Sequence, residues 1–407
     1  MISLIKIAWR NLWRNKRRTL ITLASVLFAV LFALIMRSLQ LGTYGSMEKN
    51  AVSLFTGYIQ IHANGYWENK SINKTFANSD KIEQQIQSVS AVSQIAPRLE
   101  SFALGSSGNR TKGVVVVGTN PVWENNFTKL KSRVVKGKYL TENDQGILVA
   151  EDLAKYLKVT VGDTLVLLGQ GYHGMTAAGA YPVNGIIRFP TPQLNRQMVY
   201  MTLPNAQYFY AATNQLTSIA MMIYQPRKIN KTVSELQTKI GKDYEVMSWK
   251  KMMPGFVQEI QSDNAGGLFM LGILYIVIAF GIFGTILMMT MERKREFAVM
   301  IAVGMQRGRL AFIVFVETIF LGLLGILSGI IVSLPILIYA YHHPIQLTGQ
   351  AAEAMTQFGA EPIMPFALRL DFYANQSLTV MILTVIAVLY PLIIINRLTV
   401  IEGLRGK

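Results

Sequence analysis

The 407-residue sequence contains no cysteine. Disulfides, thiolate metal sites and cysteine nucleophiles are therefore excluded. Histidine is nearly as scarce: His62, His173, His342 and His343 are the full set. The adjacent pair cannot both face one site on a helix, and no Glu stands at ligand spacing, so no metal site is expected. Charged residues make up 15% of the chain, below the roughly 25% of soluble domains. The string G-x-x-x-x-G-K-[ST], which cradles nucleotide phosphates, does not occur. The nearest strings are ALGSSGNRTK, with the wrong spacing, and TKIGKD, which lacks the hydroxyl residue. No G-x-S-x-G, H-E-x-x-H or kinase signature is present, and the carboxylates of the middle region recur at no fixed spacing. The chain is expected to be non-catalytic and to bind no cofactor itself.

What is plentiful is apolar sequence and positive charge, at 51% hydrophobic residues and a net charge of +16. The charge is concentrated. Residues 1–18 carry Lys6, Arg10, Arg14, Lys16, Arg17 and Arg18 with no acid, and residues 292–309 carry five basic groups against two acidic ones. Residues 397–407 add Arg397, Arg405 and Lys407 against Glu402. Each stretch flanks an apolar run, which is the positive-inside signal of a membrane protein. No basic stripe with interleaved aromatics occurs elsewhere, so no nucleic-acid partner is expected.

A bilayer core of roughly 30 Å needs about 20 apolar residues in a helix. Four stretches qualify. Residues 19–36 and 264–291 hold no charge, 311–341 hold only Glu317, and 372–396 again hold none. The first could be a signal peptide, but its apolar run is long for one and no A-x-A site closes it before Arg37, which favours a retained anchor. The expected layout is a cytoplasmic amphipathic segment 1–18 and spans at 19–40, 265–291, 310–341 and 373–396. A large periplasmic domain at 41–264 separates the first two spans. A cytoplasmic loop at 292–309, a periplasmic loop at 342–372 and a cytoplasmic tail at 397–407 complete it. All three basic clusters then share one side. Glu317 lies about 12 Å into its helix from Arg309, where it can pair with a basic neighbour or relay protons. Pro335 and Pro391 mark expected bends.

Within 41–264, TGYIQIHANGY, SDKIEQQIQSVSAV and SQIAPRLESFAL read as strand, helix and strand. TSIAMMIYQ, KINKTVSELQTKIG and YEVMSWKKM repeat that order. This predicts an α+β subdomain from 41–102 and 214–264, enclosing a β-rich one at 103–213. The loop GQGYHGMTAAGA, with Gly171, Tyr172, His173 and Gly174 at its centre, is either a plain hairpin connection or a flexible contact loop for a partner.

The loop MERKREFAVMIAVGMQRGRL places Glu292 and Glu296 four apart, then an amphipathic turn and a break at Gly304. It resembles the E-R-x-R-E-I-x-x-L-R-A-x-G-A pattern of the FtsX-like permease family. Glu292, Arg293, Arg295, Glu296, Ala302, Gly304 and Met305 hold the matching positions, and Ile301 stands where a basic residue is usual. IAWRNLWRNKRRTLIT and INRLTVIEGLRGK resemble the family's opening and ending, the latter with Val400 in place of a common proline. GVVVVGTNPVWE, VVKGKYL and GILVAEDLAKYLKVTVGDTLVLL resemble the Lol-type lipoprotein-releasing members.

The resemblance implies a four-helix polytopic ABC permease of the type VII kind in a bacterial inner membrane. Its loop helix would fit a cytoplasmic ABC ATPase dimer that holds ATP and Mg. The partners implied are a second permease subunit, identical or not, membrane lipids, lipoprotein cargo and a periplasmic lipoprotein carrier. The family's carrier-recruiting member has a longer, proline-containing hook near residues 169–181, which are short and glycine-rich here. By analogy, Phe32, Met36, Leu39, Met270 and Leu274 line a lateral lipid cleft. Two other readings stay open: MacB-like export of peptides, toxins or drugs, and FtsX-like signalling to a cell-wall hydrolase.

Overall fold

A computed structural model describes residues 2–14, 16–357 and 362–399. The expected tail beyond Thr399, including Val400, lies outside the described residues, as do residues 358–361 of the expected second periplasmic loop. The chain divides into two units.

The first unit comprises Met1–Gly45, Glu259–Gln346 and Met364–Lys407. Its helices are α1 (Ile2–Arg14) and α2 (Lys16–Ala51, which runs on past the unit's edge), then α8 (Pro254–Glu292), α9 (Lys294–Ala302), α10 (Arg307–His342) and α11 (Leu370–Arg397). Helices α2, α8, α10 and α11 are each long and apolar enough to cross a membrane. At 1.5 Å per residue even the shortest reaches about 42 Å. The helices α10 and α11 continue through Pro335 and Pro391.

Helix α10 is the centre of this unit because glycines let its neighbours close on it. A Cβ added at Gly325 would run into Val26 of α2, one at Gly329 would stand 2.8 Å from the Cβ of Val30, and Gly322 faces Thr384 of α11. Small residues four apart are how helices approach in lipid, where dispersion has to replace the hydrophobic effect. Replacing Gly329 by leucine is expected to cost about 1–3 kcal/mol through overpacking, seen as a lower melting midpoint of the purified chain. Leucine at Gly284 of α8, where the added Cβ meets open space, should leave the midpoint unchanged.

The second unit, Ser46–Gln258 with Leu347–Ile363, is the inserted domain. Its main sheet has ten strands: β1 (Ile59–Ala63), β2 (Val92–Ser107), β3 (Arg110–Thr119), β4 (Val134–Gly137), β5 (Ile147–Ala150), β6 (Thr164–Gln170), β7 (Thr176–Ile187), β8 (Met198–Thr202), β9 (Ser218–Ile223) and β10 (Tyr244–Ser248). The order is β10-β1-β9-β2-β3-β8-β5-β7-β4, with β6 bridging β2 and β7. Pairing is antiparallel except for β3 with β8 and β5 with β7.

The helices of this unit that matter to its cores are α3 (Asp80–Gln87), α4 (Pro121–Thr128), α5 (Glu151–Leu157), α6 (Leu203–Phe209) and α7 (Ile229–Ile240). Ile82 and Ile86 of α3, with Ile229, Leu236 and Ile240 of α7, join Ile59, Ile61, Ile219, Met221 and Val246 in one core. A second core gathers β3, β5 and β8 with α5 and α6. These two main cores gather mainly the residues on either side of the expected division near residue 102, while one sheet runs through both, because the 16-residue β2 crosses that point and hydrogen-bonds on both flanks.

Candidate functional site

Helix α9 turns off the end of α8 at Arg293, whose backbone (φ −91°, ψ 1°) leaves the helical region. Phe297 and Ala298 are buried, and Met300, Ile301 and Met305 are partly so. That spacing is one stripe of a 3.6-residue helix. The opposite stripe, Arg295, Val299 and Ala302, faces outward, and Val303 beyond it is 84% exposed. The helix ends because Gly304 takes φ +103°, a conformation that favours glycine. The Gly304 N–H then donates to the Ile301 carbonyl, and the Met305 N–H to that of Met300, both at 3.0 Å.

Of the seven residues expected to meet a partner here, Glu292, Arg295, Glu296, Ala302 and Gly304 are exposed and Met305 is half-buried. Arg293 is not at the surface. It folds inward, and its Nη1 donates to both carboxylate oxygens of Glu317 at 2.8 Å. Its guanidinium also lies 5.1 Å from the centre of the Phe297 ring. Glu296 lies 3.5 Å from Arg293 Nε and accepts a hydrogen bond from Arg14 of α1. Together with Asn11, Thr19, Met289 and Glu292 these groups line a polar pocket of about 210 Å³.

The pairing of Glu317 was foreseeable, since a lone carboxylate in a span needs a cation. Which cation was not, because Arg293 is 24 residues away. The role of Arg14 and Asn11 in the same cluster left no signal beyond the basic character of the segment.

Phe32 and Met270 are exposed, whereas Met36, Leu39 and Leu274 are half-buried. What joins α2 to α8 near them is polar. Arg37 donates to Asn264 at 3.0 Å and the Tyr44 hydroxyl to Asp263 at 2.7 Å. The side chain of Gln40 occupies the space a Cβ on Gly267 would need.

In the inserted domain, Gly171, Tyr172, His173 and Gly174 form a tight connection between β6 and β7. Its backbone is tied down: Tyr172 N–H donates to the Tyr210 carbonyl and His173 N–H to Asn73 Oδ1, both at 2.7 Å. Of these four, His173 and Gly174 are exposed, while Gly171 is buried and Tyr172 half-buried.

Two family models match the chain. The MacB-like periplasmic core domain matches residues 19–239, more than half of it, and the FtsX-like permease C-terminal domain matches 268–400. Among curated proteins, the lipoprotein-releasing system transmembrane protein LolC of Xylella fastidiosa (strain Temecula1) is 22% identical over 249 residues. That match covers 59% of this chain and 59% of LolC. LolE of Haemophilus influenzae is 22% identical over 277 residues, covering 64% of each. The matches thus span about three fifths of the relatives' own length. Among solved structures, the periplasmic region of MacB from Actinobacillus actinomycetemcomitans has a TM-score of 0.35 at 15% identity, covering 51% of this chain and 95% of that one. The extracellular domain of YknZ from Gram-positive bacteria gives 0.34 at 14%, covering 47% and 99%.

Proposed function

We propose, for a chain that belongs to the FtsX-like permease family and carries its MacB-like periplasmic core domain, that it is the membrane subunit of a Lol-type lipoprotein-releasing ABC complex. Energy comes from a separate cytoplasmic ATPase dimer, which holds the ATP and Mg. The observation carrying this reading is the two-sided loop helix α9. One stripe is anchored by Phe297 and Ala298, and the other presents Arg295, Val299, Ala302 and Val303 outward. A short helix with an apolar exposed tip is suited to a groove on a partner protein.

In this reading both termini and α9 are cytoplasmic, following the basic clusters, and the inserted domain is periplasmic. Two permease subunits stand side by side. Closure of the ATPase dimer pushes α9, and α10 follows because Arg293 ties α9 to Glu317. Helix α2 follows α10 through the contacts of Gly325 and Gly329 with Val26 and Val30. Since α2 leads into the inserted domain, the stroke ends there and expels a lipid-anchored cargo. Its acyl chains would occupy the flank of α2 and α8 around Phe32 and Met270, where each buried CH₂ contributes about 0.8 kcal/mol.

The experiment has two arms. Val303→Asp should abolish co-purification of an ATPase while leaving the chain in the membrane; retained association would refute the docking role. Phe32→Asp with Met270→Asp should leave the ATPase bound and strand lipoproteins in the inner membrane; normal release would refute the cleft. Native mass spectrometry of the complex distinguishes the cargo classes. Triacylated protein supports lipoprotein release, whereas a duct adaptor or a cell-wall hydrolase would replace it with export or signalling.

A further inference from the structure

We propose that the groove along α1 is a binding site for the headgroup of an anionic phospholipid. Helix α1 buries only a narrow side, where Ala8 and Leu12 are inaccessible and Leu12 packs with Phe320 and Leu321 of α10. The rest of its surface is of an unusual kind. Ile5, Ile7, Trp9 and Trp13 are all exposed, and Lys6, Arg10 and Arg14 stand among them.

Ile7, Trp9, Arg10, Asn11, Trp13 and Arg14 line a groove of about 550 Å³. The two indoles meet edge to face at 6.2 Å, and Trp9 rests edge-on against Phe320 at 5.5 Å. Arg14 is engaged by Glu296. Arg10, by contrast, makes no hydrogen bond or ion pair among the described residues, and its guanidinium offers five N–H donors.

Large apolar side chains exposed on a basic helix are satisfied at one kind of boundary, the membrane interface. There indoles sit at headgroup depth and cations meet lipid phosphates. Contact with α10, a helix long enough to span, holds α1 where lipid is its neighbour. Charge decides which lipid. Glu296 engages Arg14 and Glu292 lines the same pocket, but α1 itself carries no acid, so Lys6 and Arg10 leave a net positive charge into which a zwitterionic headgroup would bring its own cation. A headgroup with net negative charge brings only the complement. Its phosphate would lie on Arg10 and the Asn11 amide, and its glycerol and upper acyl chains along Trp9, Trp13 and Ile7.

The test uses the full chain in nanodiscs of phosphatidylcholine containing an equal mole fraction of brominated phosphatidylglycerol or brominated phosphatidylcholine. The signal from the groove is the emission lost in a Trp9→Phe/Trp13→Phe chain, and a soluble phosphate, carrying no bromine, cannot quench it. Wild-type indoles should associate with the anionic lipid about five-fold more strongly, the equivalent of one basic residue's attraction to an anionic surface. Arg10→Gln should lower that preference to the level of the zwitterionic lipid, while Arg17→Gln, on the exposed start of α2, should retain it. Equal quenching by the two lipids in the wild type would overturn the site. So would equal losses in the two variants, because diffuse positive charge would then account for the effect.

Discussion

Arg98→Met is expected to destabilise the inserted domain by about 3–5 kcal/mol, the usual cost of stranding one partner of a buried ion pair. Arg98 lies on β2 and has no solvent exposure. Its Nε and Nη2 donate to the two oxygens of Glu124 at 2.9 and 2.8 Å, and its Nη1 donates to the Phe55 carbonyl at 2.7 Å. The rings of Phe55 and Phe127 lie 4.8 and 5.3 Å from the guanidinium carbon. Burial works against the charge, but the carboxylates of Glu124 and Glu100 outweigh it and push the Arg98 pKa up. The arginine therefore stays cationic at any working pH.

Without it Glu124, also inaccessible, keeps only the hydroxyls of Thr119 and Thr128. Glu100, whose side chain is 14% exposed, can still reach water. The loss should therefore come mainly from Glu124, so Arg98→Met combined with Glu124→Met should recover a large part of it. The measurement is the urea midpoint of the domain's fluorescence transition in the full chain. An Arg98→Met midpoint equal to that of the wild type would show the pair to be dispensable.

The second large effect is expected at Arg293. Arg293→Met leaves Glu317 as an unpaired carboxylate that is only 2% exposed, inside a helix long enough to span. The cost is again about 3–5 kcal/mol, read as loss of the monodisperse chain extracted from membranes. Arg293→Met with Glu317→Leu should restore that yield, because the uncompensated charge is gone. It should not restore the proposed lipoprotein release, since the link between α9 and α10 is missing. Arg293→Lys should fall between, as one ammonium can donate to Glu317 as Nη1 does but cannot also approach Glu296 and lie over the Phe297 ring as the planar guanidinium does. If Arg293→Met were extracted as well as the wild type, this pair would not be what holds α9 to α10.

The lateral cleft shows where reasoning by pattern stops. Phe32, Met36, Leu39, Met270 and Leu274 were expected on apolar character and analogy. The structure also joins α2 to α8 through Arg37–Asn264 and Tyr44–Asp263, which the pattern did not single out. Those four residues stand at the ends of apolar runs, where polarity reads simply as the edge of a span. The inserted domain teaches the same lesson. Alternation marked strands on both sides of residue 102, but alternation describes which face a residue takes and says nothing about its neighbour strand. One continuous sheet and two sheets therefore look alike in sequence.

Local order along the chain was enough to place the four long apolar helices, the inserted α+β domain and the glycine-terminated loop helix. Each follows from the length of an apolar run, a period of 2 or 3.6, or a residue with special backbone freedom. Tertiary structure alone decided that Arg293 faces Glu317 instead of the surface, that Arg98 closes on Glu124, and that Gly325 and Gly329 seat α10 against α2. Those choices depend on which distant groups share a low-dielectric space, where an ion must find a counter-ion and a backbone must find room.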